Sequence, residues 1–77
     1  MKAVREKIMS PSEIKALRRK MKLTQMLFAV RIGVSFATVN RWERGIYAPS
    51  PMANRVLKRL RRRYAESQKT NDKRGGA

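Results

Sequence analysis

Apolar residues recur every three or four positions along most of the chain, a spacing that predicts helices and gives no strand signal. The first stripe consists of Ile14, Leu17 and Met21. It follows Ser-Pro-Ser-Glu at residues 10–13, where the first serine can cap a helix and the glutamate completes a capping box. A second Ser-Pro pair opens a last helix, predicted to end near Ala65. Its stripe is Met52, Val56, Leu57, Leu60 and Tyr64.

Between these stripes the pattern predicts two short helices joined by a tight turn. Thr24 can cap the first, and Gly33 is placed to end it in the left-handed conformation that suits glycine. Ser35 can cap the second, which runs to Arg44 and stops at Gly45. Two helices of about two turns each, joined by about three residues, form the helix-turn-helix layout. Their core side is expected to carry Phe28, Ala29, Ile32, Val39 and Trp42.

The hydrophobic pattern divides the chain into three parts. Residues 1–9 form either a disordered basic arm or a short helix, because Val4 and Ile8 are one helical turn apart. Residues 10–66 are expected to form one helical domain that contains the helix-turn-helix. Residues 67–77 are polar, end in Gly75-Gly76-Ala77 and have nothing to bury, so we predict a disordered basic tail there.

The charge and the apolar content of the chain limit the classes of partner that we expect. Twenty Lys and Arg residues oppose five Asp and Glu residues, giving a net charge of +15, which favours nucleic acid, an anionic membrane surface or an acidic protein as partner. No apolar run approaches the roughly 18 residues of a transmembrane helix, and the first ten residues lack the apolar core of a signal peptide. We therefore expect a cytoplasmic, nucleoid-associated protein without membrane contact.

The same composition argues against catalysis and cofactors. The chain has no cysteine and no histidine, which excludes disulfides and a Cys/His zinc site. Its five acidic residues are scattered along the sequence, and Ser10, Ser35 and Ser50 sit where helix caps are expected. We predict no enzymatic activity, no metal and no cofactor.

The second short helix is the candidate reading element. At about 100° per residue, Val39 and Trp42 face the core. Arginine can grip guanine O6 and N7, asparagine can do the same on adenine N6 and N7, phenylalanine can touch a thymine methyl, and alanine lets a helix approach closely. Alternatively, Asn40 and Arg41 are ordinary solvated residues, and Phe36 is a staple against a neighbouring helix. The outward, base-reading candidates are Phe36, Ala37, Asn40 and Arg41.

Other residues suit the sugar–phosphate backbone. Thr24 and Gln25 head the preceding helix, where backbone N–H groups and the helix dipole favour phosphate. Cations next to a reading helix add attraction that does not depend on sequence, although a charge run is more often a solvated face. The basic candidates for backbone contact are Arg44, Arg61, Arg62 and Arg63.

One pattern within residues 18–49 is specific enough to indicate a family. It consists of Arg18, Leu23-Thr24-Gln25, Phe28-Ala29, Ile32-Gly33-Val34-Ser35, Thr38-Val39, Arg41-Trp42-Glu43-Arg44-Gly45 and Pro49. This pattern resembles the Cro and phage-repressor helix-turn-helix family, and the resemblance spans roughly residues 10–60. It implies a compact all-α, lambda-repressor-like fold of four to five helices, with residues 36–44 as the recognition helix.

The resemblance also implies roles for individual residues. Arg18 and Glu43 would form a structural ion pair between the first and third helices, and Gln25 would contact phosphate. Small members of the family are phage repressors, or antitoxins that repress their own operons. The Trp-Glu-Arg-Gly ending at residues 42–45, followed by Pro49, resembles the antitoxin branch.

The chain departs from the family at positions that are usually polar and exposed, where it has Met26 and Leu27. Val30 lies on the same general side. These residues either bind a partner, are covered by Val4 and Ile8, or are scattered surface hydrophobes.

Together these features predict a sequence-specific double-stranded DNA-binding transcriptional regulator, a repressor acting as a homodimer. The alternative is an antitoxin that also binds a toxin protein and autoregulates its operon. A lesser alternative is a basic protein associated with RNA or the ribosome.

Overall fold

The computed structural model describes residues 7–76, with side chains through Ala65. Four helices follow one another in this part of the chain, and no strand occurs in it. The predicted all-α class with four to five helices is confirmed. The helices are α1 (Pro11–Lys20), α2 (Gln25–Ile32), α3 (Phe36–Glu43) and α4 (Pro51–Gly76).

Each helix begins at a hydroxyl cap that the sequence marks. The side chains of Ser10, Thr24, Ser35 and Ser50 each accept a hydrogen bond of 3.1 Å from the backbone N–H three residues further on. At α1 the bond is reciprocal, because the Glu13 carboxylate accepts from the Ser10 N–H at 2.9 Å. That backbone bond is the main reason why the pKa of Glu13 lies below its ordinary value. The caps fix where the two short helices start.

Residues with positive φ follow the first three helices. Gly33 ends α2 at φ 92°, and Gly45 follows α3 at φ 77°. Lys22 takes the corresponding place after α1 at φ 60°, the conformation that glycine adopts at the other two ends. At Gly33 a Cβ would meet nothing within 4 Å, so the backbone conformation alone favours glycine in the turn between α2 and α3.

The core lies where α3 packs against α1 and α2, with α4 against α2. The predicted stripes of α1 to α3 supply most of it, and Met21 and Ile32 pack at its edge. Met9, which the sequence placed in an arm, is also a core residue. The buried apolar side chains are Met9, Ile14, Leu17, Phe28, Ala29, Val39, Trp42 and Leu57.

The predicted stripe of α4 is wrong at Met52, which is 70% exposed. The buried face of α4 centres on Leu57, and Ala53 and Asn54 share it. Met52 lies about 140° around the helix from Leu57, so it points to solvent when Leu57 points inward. Leu57 and Leu60 pack as predicted, whereas Val56 and Tyr64 are only half-buried.

Helix α4 continues to Gly76, beyond the end near Ala65 that the stripe predicted. The stretch after Ala65 contains Glu66, Gln68 and Lys69, residue types with high helix propensity. Such residues extend a helix that is already nucleated, even without an apolar face to bury. The disordered tail predicted for residues 67–77 stays a prediction, and the side chains of this stretch lie outside the described residues.

Residues 7–9 precede α1 without helical structure and are held by α4. Met9 donates its N–H to Asn54 Oδ1 at 2.9 Å, and Asn54 Nδ2 donates to the Lys7 carbonyl at 3.0 Å. Residues 1–6, including Val4, lie outside the described part. Within residues 7–76, no helix combines the length and apolar character needed to cross a bilayer.

Candidate nucleic-acid interface

Helix α3 presents most of its predicted reading face to solvent. Phe36 is 49% exposed, and Ala37, Arg41 and Arg44 are also exposed. Behind them Val39 and Trp42 are buried, as the helical periodicity predicts. Asn40 differs from the other candidates because it is half-buried. The exposed residues of α3 thus form a continuous outward face on a helix whose other side is anchored in the core.

An ion pair between Arg18 and Glu43 ties the end of α3 to α1. Arg18 Nε donates to Glu43 Oε2 at 2.7 Å, and Arg18 Nη2 donates to Glu43 Oε1 at 2.9 Å. The guanidinium also donates through Nη1 to the Leu23 carbonyl at 3.0 Å. The Glu43 side chain is only 2% exposed, and that of Arg18 is 15% exposed. One arginine therefore fixes both the end of α3 and the chain that leads into α2.

The ion pair sets the charge state of both side chains. Burial on its own raises the pKa of Glu43, but hydrogen bonds from Arg18 and Gln25 outweigh burial and bring the pKa below its ordinary value. The hydrogen bond to Glu43 raises the pKa of Arg18. Both groups are therefore charged at neutral pH.

Gln25 connects this ion pair to the reading face. Its Nε2 donates to Glu43 Oε1 at 3.1 Å, and its Oε1 accepts from Asn40 Nδ2 at 3.2 Å. The sequence assigned Gln25 to a phosphate and Asn40 to a base, and the structure joins the two side chains. Their contact depends on how α2 packs on α3, so no spacing within the sequence could have indicated it. Asn40 is consequently held toward α2 and does not project freely.

Thr24 is exposed at the start of α2, beside Gln25. Its hydroxyl accepts the Leu27 N–H, and its carbonyl accepts the Phe28 N–H at 2.9 Å. The cap orients the first turn of α2, whose N-terminal end carries the positive pole of the helix dipole. Arg44, at the end of α3, is exposed. These positions suit contacts to a phosphate backbone that flanks α3.

Tyr47, in the connector after α3, contacts Arg41, one of the residues predicted to read bases. The Arg41 Cζ atom lies 5.7 Å from the centroid of the Tyr47 ring, within cation–π range. Tyr47 is itself 55% exposed. This contact could not be predicted from the sequence, because it depends on how the connector folds back toward α3.

The arginines of α4 that were predicted to contact the DNA backbone line grooves that contain no residue of α3. Arg61 and Arg62 line an open groove of about 610 Å³ between α1 and α4, and Arg63 lines a separate one with Arg31. No α3 residue lines either groove. We call the first the basic groove. Its lining residues are Lys20, Lys58, Arg61, Arg62 and Ala65.

The apolar residues that depart from the family pattern are exposed. Met26 is 60%, Leu27 53% and Val30 71% exposed on α2. Ile8, one of the two residues expected to cover them, is itself 38% exposed, and Val4 lies outside the described residues. These three residues are therefore available on the surface of the described chain.

Comparison with known families agrees with this geometry. A sequence model of the helix-turn-helix family matches residues 14–53, which span most of α1, both short helices and the start of α4. No curated protein matches the chain as an individual relative. The matched region contains the capped helices, the turn at Gly33 and the ion pair that fixes α3. The chain belongs to the helix-turn-helix family, as a DNA-binding domain of the Cro and phage-repressor type.

Proposed function

We propose that the protein is a sequence-specific repressor that occupies operator DNA in two copies. The observation that carries the proposal is the outward face of α3, where Phe36, Ala37 and Arg41 are exposed on a helix fixed from behind by Glu43. A reading helix must keep its position when its side chains meet base edges, because geometry determines which base is accepted. The anchored, exposed α3 meets that requirement.

Each residue of the face has a distinct role in this proposal. Arg41 grips guanine through O6 and N7, and Asn40, steadied by Gln25, reads an adjacent base. Phe36 contacts a thymine methyl group, and the small Ala37 lets α3 enter the major groove closely. Backbone contacts set the register without reading sequence. They come from Thr24, Gln25 and Arg44.

Two copies are proposed because one reading helix covers too little DNA. The eight residues of α3 span about 12 Å at about 1.5 Å per residue. That length matches only about three or four base pairs at about 3.4 Å each. A pair of helices on half-sites about one helical turn apart doubles the sequence that is read. Bound at a promoter, such a pair represses by steric occupation and performs no chemistry.

Selection of bound sequences from a random DNA pool tests the proposal. We expect a palindromic motif, and we expect Arg41→Ala to cost about 1–3 kcal/mol and relax the preference at one base pair. Arg44→Ala is the matched control, because losing a backbone contact weakens all sequences alike. Failure to enrich any motif, or identical effects of the two substitutions, would contradict the assignment. Enrichment from an RNA pool alone would favour the RNA-binding alternative.

The exposed set of Met26, Leu27 and Val30 supports a second candidate, an antitoxin that also binds a toxin protein. Desolvating large apolar side chains is a common source of affinity between proteins. Replacing Met26 and Leu27 by Glu is expected to leave the fold and DNA preference intact and to abolish association with a protein encoded beside this chain. If the variant still associated with that protein, the antitoxin candidate would be contradicted and the DNA-binding proposal would be unaffected.

A further inference from the structure

The basic groove gathers positive charge from two helices. Lys20 comes from α1, whereas Lys58, Arg61 and Arg62 come from α4. Among the side chains that the structure describes, through Ala65, no carboxylate lines the groove. Among the described residues, Arg61 has an acidic partner in Glu13, whose Oε2 lies 4.0 Å from Arg61 Nη1. The side chains of Glu13 and Arg61 are about half exposed, at 46% and 47%. So long and exposed a pair neutralises little of the charge.

The cations of the groove are held on two neighbouring helices. Residues 58, 61 and 62 are three and four positions apart, so they share one side of α4. The Tyr64 hydroxyl donates to the Lys20 carbonyl at 2.6 Å, which holds α4 against the end of α1. The cations are therefore presented by two helices that a hydrogen bond connects. Holding like charges side by side is unfavourable, and a bound anion relieves their repulsion.

The basic groove opens on the side of α1 away from α3. Arg18 reaches across one side of α1 to Glu43 of α3. Lys20 is two residues further along the same helix, a rotation of about 200°, and it lines the groove instead. Thus the groove and the Arg18–Glu43 contact lie on opposite sides of α1, and no residue of α3 lines the groove.

We propose that the basic groove is a second, sequence-independent site for the phosphodiester backbone of duplex DNA, so that one chain can hold two DNA segments. The proposal rests on the proposed function for the first segment, the one on α3. Phosphate oxygens are the partners that clustered Lys and Arg side chains favour. Single-stranded nucleic acid usually needs aromatic platforms for its bases. Within residues 7–65 the groove is lined by cations and Ala65, without an aromatic ring, which favours a duplex backbone.

A bridging assay with the full chain tests this site. A duplex carrying the selected motif is immobilised and loaded with protein, and capture of a second, labelled duplex of unrelated sequence is measured. We expect Lys58→Glu with Arg62→Glu to reduce capture about tenfold or more and to flatten its salt dependence. The motif preferred by α3 should be unchanged. Because both copies in a dimer keep their α3, loss of capture cannot be assigned to the reading helices.

The matched control is Arg19→Glu with Arg59→Glu. These exposed arginines lie on the same two helices, outside the lining of the groove, and the charge change is identical. An equal loss in the control would show that capture reports only net charge and would overturn the proposal. Full capture by the groove variant would overturn it too. The milder Lys58→Gln with Arg62→Gln pair repeats the test with smaller perturbation of the fold.

The two proposals fail in different ways. If the wild-type chain binds its motif but captures no second duplex, the groove proposal is overturned and the DNA-reading function stands. If no motif is enriched, the reading function fails. Duplex binding that is lost in the groove variant and kept in the control would still support the groove in that case. Preferential capture of single-stranded RNA over duplex would overturn the choice of duplex.

Discussion

Asn54, inside α4, holds the backbone of Met9 in place before α1. The side chain of Asn54 is fully buried, and its oxygen accepts the Met9 N–H at 2.9 Å while its nitrogen donates to the Lys7 carbonyl at 3.0 Å. The two bonds join segments more than 40 residues apart in sequence. They also allow Met9 to enter the core without leaving its backbone N–H unpaired.

We expect Asn54→Ala to lower the free energy of unfolding by about 1–3 kcal/mol, because it strands two backbone groups in a buried setting. Urea unfolding followed by circular dichroism measures the loss. Met52→Ala is the control, since Met52 lies on the same helix but is 70% exposed, and it should change stability little. A loss no greater than that of the control would mean that water replaces the amide without cost.

The charge of Glu43 should make stability depend on pH. Because the pKa of Glu43 in the folded protein lies below its ordinary value of 4.5, the ion pair stabilises the fold fully above pH 4.5. That contribution is lost as the pH falls through the lower, folded pKa. We expect the difference in unfolding free energy between wild type and Glu43→Gln to be constant near neutral pH and to shrink below 4.5. If the difference in unfolding free energy between wild type and Glu43→Gln stayed unchanged in acid, the predicted loss of stability at low pH would be contradicted.

Removing only one partner of the Arg18–Glu43 pair should cost more than removing both. Arg18→Met leaves a carboxylate that is 2% exposed without its cation, and we expect a loss of about 3 kcal/mol. Combining it with Glu43→Leu should recover part of this loss, because apolar packing can replace a buried pair. Thermal or urea unfolding of the single and double variants gives the coupling energy. Additive losses would show that the two charges act independently.

Tyr47 should affect DNA binding through Arg41. A cation–π contact at an exposed site contributes about 0.5–1 kcal/mol, so Tyr47→Ala should weaken binding to the selected motif about two- to fivefold. Tyr47→Phe keeps the ring and should bind nearly as well as wild type. The decisive readout is the base preference at the position that Arg41 reads, measured by competition. If Tyr47→Ala weakens binding equally when Arg41 is already alanine, the ring contacts DNA by itself.

The backbone conformations after α1 and after α2 predict opposite effects on stability for two substitutions. Gly33→Ala should destabilise the protein by about 1 kcal/mol, since φ 92° suits glycine although the space is open. Lys22→Gly should stabilise it by up to about 1 kcal/mol, because Lys22 already occupies φ 60°. Thermal unfolding compares the two. If both substitutions stabilised the protein, or both destabilised it, side-chain contacts would outweigh backbone strain at one of these sites.

The sequence predicts features that depend on neighbouring residues. The caps at Ser10, Thr24 and Ser35, and the turn at Gly33, depend on a few adjacent positions and form as predicted. The core faces of α1 to α3 follow from helical periodicity alone. The stripe of α4 was misjudged at Met52 because Asn54, a polar residue, belongs to the buried face.

Relationships between distant residues could not be predicted in the same way. The bond from Asn40 to Gln25, the stacking of Tyr47 on Arg41 and the anchoring of Met9 by Asn54 all require the relative placement of separate segments. Arg61 and Arg62 read as one charge run in sequence, whereas the structure adds Lys20 from α1 to make a groove. For the candidate site, the sequence supplies the residue types on α3 but not the side chains that hold them.

Trp42 provides an optical probe of α3 without any label. It is the single tryptophan of the chain, it is 3% exposed, and it lies between Arg41, proposed to read a base, and Glu43, held by Arg18. Indole emission shifts to longer wavelength when the ring meets water, so the emission maximum reports whether the recognition helix is seated on the core. The same signal can follow unfolding, acid titration and DNA addition on one unmodified sample.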